Sequence, residues 1–250
     1  MMPANGQPLM AHLGEFRKRL VASAIAVGIG FAVCYAFSEE LFEILAQPLK
    51  SNLAEGERLV FTNLPDMFFV YLKTAFVAGL LLSSPFIFYQ IWMFIAPGLY
   101  RREKTLVLPF IFFSTLLFVG GGLFGYFVVF PFGFKFFLSF ENEFLQALPS
   151  VKQYFSFSIK LLLAFGLVFE LPVVLFFLAR IGAVTPASLR KKRKYAILMC
   201  FIVGAVITPP DVITQFMMAV PLIVLYEVGI IAAMVAGKRK PVAAESPPAE

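Results

Sequence analysis

The sequence predicts an all-α polytopic membrane protein with six transmembrane helices, and three observations carry that prediction. Of 250 residues, 60% are hydrophobic and 14% charged, against roughly 45–50% apolar residues in soluble domains. Apolar runs recur at about residues 20–37, 68–95, 106–130, 155–179, 195–207 and 212–236. A helix rising ~1.5 Å per residue needs ~20 residues to cross a ~30 Å hydrocarbon core, and most of these runs are of that length. The basic residues, finally, crowd into alternate connections.

The first run follows "MMPANGQPLMAHLGEFRKRL", a polar stretch with no small-residue cleavage site behind the apolar segment. It therefore reads as a retained anchor rather than a signal or transit peptide, and a bacterial host is expected. The second run holds Lys73 one turn inside and closes at Pro97 and Gly98. The third opens after "YRREK" and the fourth contains Lys160, Glu170 and Pro172. Lys73 and Lys160 read as snorkelling to a nearby interface. The fifth run stops at "TPPD", and the sixth starts at once and meets Glu227. Helices five and six are thus expected to form a short hairpin that fails to span fully, so that the bilayer thins or water enters beside it. Residues 1–236 are expected to form one transmembrane domain. The tail 237–250, rich in Pro and Ala, reads as a disordered cytoplasmic extension.

Charge sets the expected orientation. One side carries fifteen basic residues: Arg17, Lys18, Arg19, Arg101, Arg102, Lys104, Arg180, the run Arg190 to Lys194, and Lys238 to Lys240. The other side has only Lys50, Arg58, Lys135 and Lys152. The positive-inside rule places the richer side, with both termini, in the cytoplasm. The net charge of +6 then expresses topology and gives no reason to invoke nucleic acid.

Several function classes fall away. The two cysteines, Cys34 and Cys200, lie inside apolar runs, and His12 is the single histidine, so neither a disulfide framework nor a metal site is expected. With no nucleophile, zinc-protease or phosphate-loop motif, the chain is expected to be neither an enzyme nor a cofactor carrier.

The remaining polar residues each have a plain and a functional reading. In "HLGEFRKRL", Glu15 and Arg19 are neighbours at i, i+4; they form either a solvated ion pair, or a site whose carboxylate faces a groove and receives an external cation. Glu103, among Arg101, Arg102 and Lys104, either balances a positive loop or joins Glu15 at the same membrane face. Glu170 lies where a charge costs ~2.5–3.5 kcal/mol on insertion scales, and Pro172 removes a backbone donor beside it. It is either a protonated acid bonded to a neighbouring helix or a functional group facing a cavity. Asp211 reads as the N-cap of helix six. Thr208 and Gln215 bond either within the hairpin or to an incoming helix, and Glu227 lies where snorkelling to water is easy.

Six blocks in order, "HLGEFRKRL", "SSPFIFYQIWMFIAPGLYRREK", "YFVVFP", "FGLVFELPVV", "LRKKRKYAIL" and "TPPDVITQ", resemble the TatC family, the receptor core of the bacterial twin-arginine translocase. The resemblance runs from Met10 to about Ala236. It implies six helices in a concave, glove-like bundle with helices five and six short, both ends in the cytoplasm, no ATP, and dependence on the proton-motive force. It implies as partners the twin-arginine signal peptides of folded precursors, single-span TatA and TatB, and other TatC copies. By position, Glu15 and Glu103 match the acids that receive the arginine pair, with Arg17 aligned in the same motif and Gln90 and Phe94 lining the groove. Glu170 matches the buried acid, and Thr208 and Gln215 match a polar cluster implicated in docking partner helices. The chain departs from the pattern at Ala205, often Met in the family, and at Gly14 and Phe16.

A guanidinium presents planar paired donors to a carboxylate, whereas lysine presents a point charge. Twin-lysine signals are therefore expected to bind more weakly. The competing reading is a proton-coupled small-solute transporter, which also uses an intramembrane acid beside a broken helix. Against it, the two halves show no internal repeat.

Overall fold

Helix α1 (Gln7–Ala36) begins well before its apolar run, so the "HLGEFRKRL" motif is itself helical. Pro8 falls in the first turn, where its missing N–H would have had no partner. The computed structural model describes residues 7–53, 59–95, 107–141, 148–208 and 211–236, with side chains from Leu13 onward. The helices that follow are α2 (Ser38–Lys50), α3 (Asp66–Ile95), α4 (Val107–Phe124), α5 (Phe130–Leu138) and α6 (Val151–Phe169). The last four are α7 (Leu171–Arg180), α8 (Pro186–Lys191), α9 (Arg193–Ile207) and α10 (Val212–Val235). Among the described residues the only β pairing is an isolated bridge between Val60 and Ser150.

Five segments are long and apolar enough to cross a membrane: Leu13–Ala36, Asp66–Ile95, Val107–Leu138, Val151–Arg180 and Val212–Val235. Helix α9, the fifth of the six apolar runs, has 15 residues and rises only about 22 Å. The expectation that helix six is short as well is corrected here. Helix α10 has 24 residues, about 36 Å, and runs on through Glu227, a good helix former that pairs with Arg193, 34 residues earlier in the chain.

The chain divides into two compact units, Met1–Phe169 and Glu170–Glu250. In the first, two close crossings fix the frame. A Cβ added at Gly79 would lie 2.5 Å from the Phe31 nitrogen, and one at Gly30 would lie 2.6 Å from the Gly79 carbonyl oxygen. Only glycine permits this approach of α1 to α3, and Ser83 Oγ donates across it to the Ala26 carbonyl at 2.8 Å. Small residues with an interhelical hydrogen bond are the usual means of association where lipid offers no hydrophobic drive. Helices α4 and α6 meet likewise, a Cβ at Gly121 falling 2.5 Å from the Phe165 carbonyl oxygen. The outer side of α1, with Leu13, Leu20, Ile25 and Ile29, stays exposed, as a lipid-facing surface requires.

Helix α2 lies in what reads as a loop, yet Leu45, Ala46 and Leu49 bury. Pro48 has no N–H for the carbonyl of Ile44, four residues back, and Tyr126 Oη donates to that carbonyl at 2.7 Å. Tyr154 Oη donates to the next one, of Leu45, also at 2.7 Å. Between α4 and α5 a π-helical turn, Gly125–Val129, carries the chain into Pro131, and the Phe130 N–H reaches back five residues to Gly125. The wider turn lets the helix continue past a proline. Asp66, 2% exposed, opens α3 and pairs with Lys152 of α6 at 3.0 Å, beside hydrogen bonds joining Val60 to Pro149 and Val151.

In the second unit, α10 packs on α7 and α9. A Cβ at Gly229 would meet Leu175, and one at Gly204 would lie 3.2 Å from the Gln215 carbonyl oxygen. Leu175, Ala179, Leu189, Ile230 and Ala233 form its apolar centre, and Thr185 caps α8 through its bond from Ser188 N. Tyr226 Oη donates to the Leu189 carbonyl at 2.8 Å, and Arg180 donates to the Ala236 carbonyl at 2.8 Å.

Candidate functional site

The Gly30–Gly79 crossing sets α1 beside α3, and near the C-terminal end of α3 five polar and aromatic side chains meet. Arg19 Nε donates to Glu15 Oε1 at 3.1 Å, and Nη2 approaches the same oxygen. Arg19 Nη1 also donates to Gln90 Oε1 at 3.3 Å. Phe16 and Phe94 pack edge to face, with centroids 5.5 Å apart. The result is a carboxylate holding a guanidinium, with the Glu15 side chain 35% and the Arg19 side chain 20% exposed. Among the described residues no hydrogen bond is made by the second carboxylate oxygen of Glu15.

Glu15 and Gln90 thus share the Arg19 guanidinium, and Phe94 packs on Phe16, the residue next to Glu15. Arg17 is exposed and, among the described residues, forms no ion pair with Glu15. Glu103 lies outside the described residues. Arg19, which the sequence marks only as a helical neighbour of Glu15, stands at the centre of the cluster. Its link to Gln90, 71 residues away, leaves no trace in local spacing. Trp92 stacks on Phe110 at 4.4 Å and donates to Ser114 Oγ at 3.4 Å, which ties the end of α3 to the first turn of α4.

The second group of residues belongs to the other unit. Glu170 is half-buried and alone separates α6 from α7, with φ −71 and ψ −15. Its carbonyl accepts from Val174 N at 2.9 Å. Pro172 cannot donate to the carbonyl of Val168, which accounts for the interruption. Asp211 caps α10 by accepting from Thr214 N at 2.7 Å, and Thr214 Oγ1 also donates to it. Thr208 Oγ1 turns back to the Gly204 carbonyl at 2.9 Å, and Gln215 Nε2 donates to the Phe201 carbonyl at 3.1 Å. Both bond within the hairpin, and the side of α9 carrying Ala205 is exposed. Glu227 engages Arg193 at 2.5 Å instead of standing alone at the interface.

A model of the family described as "Sec-independent protein translocase protein (TatC)" matches residues 11–221. The chain belongs to the TatC family. A TatC of Desulforapulum autotrophicum is 55% identical over 233 residues, covering 93% of this chain and 86% of that protein. The TatC of Escherichia coli is 41% identical over 224 residues, covering 90% and 87%. A crystal structure of the twin-arginine translocase receptor TatC superimposes with a TM-score of 0.81 at 43% identity, over 90% of this chain and 99% of that one. TatC proteins are components of a protein translocase and carry no enzymatic activity. With its apolar helices this TatC chain is an integral protein of the bacterial inner membrane, and as a translocase component it works with other subunits of the same system.

Proposed function

We propose that this protein is the signal-peptide receptor of its translocase, and that the Glu15 carboxylate accepts a guanidinium of the twin-arginine signal. One observation carries this reading: Glu15 already holds a guanidinium, that of Arg19, at a half-exposed position flanked by Gln90 and the Phe16–Phe94 pair. A site shaped around a resident arginine is preorganised for an incoming one, which either takes the second carboxylate oxygen or displaces Arg19 toward Gln90. Glu103 supplies the second acid, and Arg17 and its neighbours disfavour misplaced basic peptides. The asymmetry of basic residues supports a cytoplasmic location for both termini and for this site.

On this reading the second unit recruits the single-span TatA and TatB helices. Glu170, at a helix interruption, offers them a hydrogen bond, as do Thr208 and Gln215 once they exchange their bonds within the hairpin. The short α9 thins the bilayer locally, and the proton-motive force drives transport. Hydrogen bonds to charged groups contribute ~1.5–3 kcal/mol. A purified twin-arginine signal peptide should therefore bind about tenfold or more weaker to Glu15→Gln and Glu103→Gln, and equally weaker when its arginines become lysines. Undiminished capture of the peptide by both variants would refute the receptor reading. Glu170→Ala should impair co-purification of the single-span partners and leave peptide binding intact.

A further inference from the structure

An apolar slot of about 260 Å³ lies in the first unit, lined by none of the residues around Glu15 described above. Helix α2 roofs it with Leu41, Ile44 and Leu45, and its walls come from α3, α4 and α6, including Leu81, Gly122 and Ile159. Two of its lining residues carry hydroxyls: Tyr126, whose Oη donates to the Ile44 carbonyl, and Thr74. Thr74 is 5% exposed, and its Oγ1 is buried with no hydrogen-bond partner. A buried hydroxyl without a partner costs free energy, which an acceptor brought by an occupant would recover.

Shape restricts that occupant. From Thr74 to Leu81 on α3, and from Val119 on α4 to Phe127 in the π-helical turn, the slot runs about 12 Å along the helices. At about 260 Å³ it is far smaller than the roughly 1,000 Å³ that a helix 10–12 Å wide fills over the same length. A transmembrane helix does not fit, and a single hydrocarbon chain does. Depth restricts it further. Helix α3 has 30 residues, about 45 Å, so if centred on a ~30 Å core it enters hydrocarbon about five residues after Asp66. Thr74 then lies just inside the boundary, at the level of ester groups, and Leu81 lies near the midplane. Lys73, exposed at the same level of α3, has the reach to snorkel to a phosphate.

We propose that this slot is a binding site for one acyl chain of an ester-linked phospholipid from the leaflet on the α2 side. Thr74 Oγ1 donates to the ester carbonyl, and Lys73 pairs with the phosphate. The chain fills the space beside Gly122, where an added Cβ would only reach ordinary contact with the Leu81 side chain, at 3.8 Å. Lipid held there would keep α2 seated over α3 and α4, in concert with the Tyr126 and Tyr154 bonds to its carbonyls.

The test uses the full-length protein in mild detergent. It is equilibrated with equal amounts of a diester phospholipid and its diether analogue, and bound lipid is counted by native mass spectrometry. Wild-type protein should retain one lipid and prefer the ester form by about threefold to tenfold, the range that hydrogen bonds within membranes produce. Thr74→Val, nearly isosteric, should lose the preference while keeping some lipid, and Gly122→Leu should lose lipid altogether. Wild-type protein without a retained lipid, or with equal retention of ester and ether, would overturn the proposal. So would cross-linking of a single-span helix to Leu123→Cys in place of lipid.

Discussion

Two carboxylate–cation pairs bracket α3, and they are built to opposite ends. At its first residue, Asp66 is buried and reaches across to Lys152 of α6. Near its other end, Glu15 is half-exposed and reaches only one turn along its own helix to Arg19, with Gln90 of α3 sharing the guanidinium. Removing the partner of a buried charge leaves that charge uncompensated, so such a pair locks elements together. A pair within one helix at half exposure contributes little to stability and can exchange its cation without unfolding anything. Both are carboxylate–cation pairs; the buried carboxylate suits the first to architecture, and its exposure suits the second to the recognition role proposed above.

The comparison can be broken at several points. The largest effect is expected from Gly79→Leu, whose Cβ would sit 2.5 Å from the Phe31 nitrogen. Overpacking costs ~1–3 kcal/mol or more, and the displaced α1 should abolish disulfide cross-linking of Phe16→Cys to Phe94→Cys and signal binding together. Next, Lys152→Met should lower the thermal midpoint by several degrees, and Asp66→Asn added to it should restore most of the loss. Glu15→Gln should leave the midpoint within the equivalent of ~0.5 kcal/mol while weakening signal binding about tenfold. The smallest effect is expected from Gln90→Leu, which removes one long hydrogen bond, about threefold in binding. Salt tests both, since Lys152 is 53% exposed although Asp66 is buried, and exposed charges are screened. Raising ionic strength should weaken signal binding and also reduce the thermal contribution of Lys152.

Much of this was legible in the residues. Run length and charge gave the membrane class, and Glu15 with Arg19 could be read from helical spacing. Asp211 was readable as a cap because its side chain bonds three residues ahead. What escaped depends on which helices meet. Gly30 and Gly79 carry no sign that each is the other's partner, and Gln90 cannot be joined to Arg19 without that crossing. Helix α10 reads as short when Glu227 is taken as its end, but the helix continues past that acid to Val235, and the partner Arg193 comes from a different helix. Helix α2 was the recoverable omission: Leu41, Leu45 and Leu49 recur every four residues, a pattern obscured by the Pro48 whose freed carbonyl Tyr126 satisfies.

The most direct test of guanidinium exchange at Glu15 is a double-mutant cycle on peptide binding, pairing Glu15→Gln in the receptor with arginine-to-lysine in the signal. If Glu15 contacts a signal arginine, the two changes together should weaken binding little more than either alone. Losses that simply add would mean that Glu15 and the signal arginines do not meet.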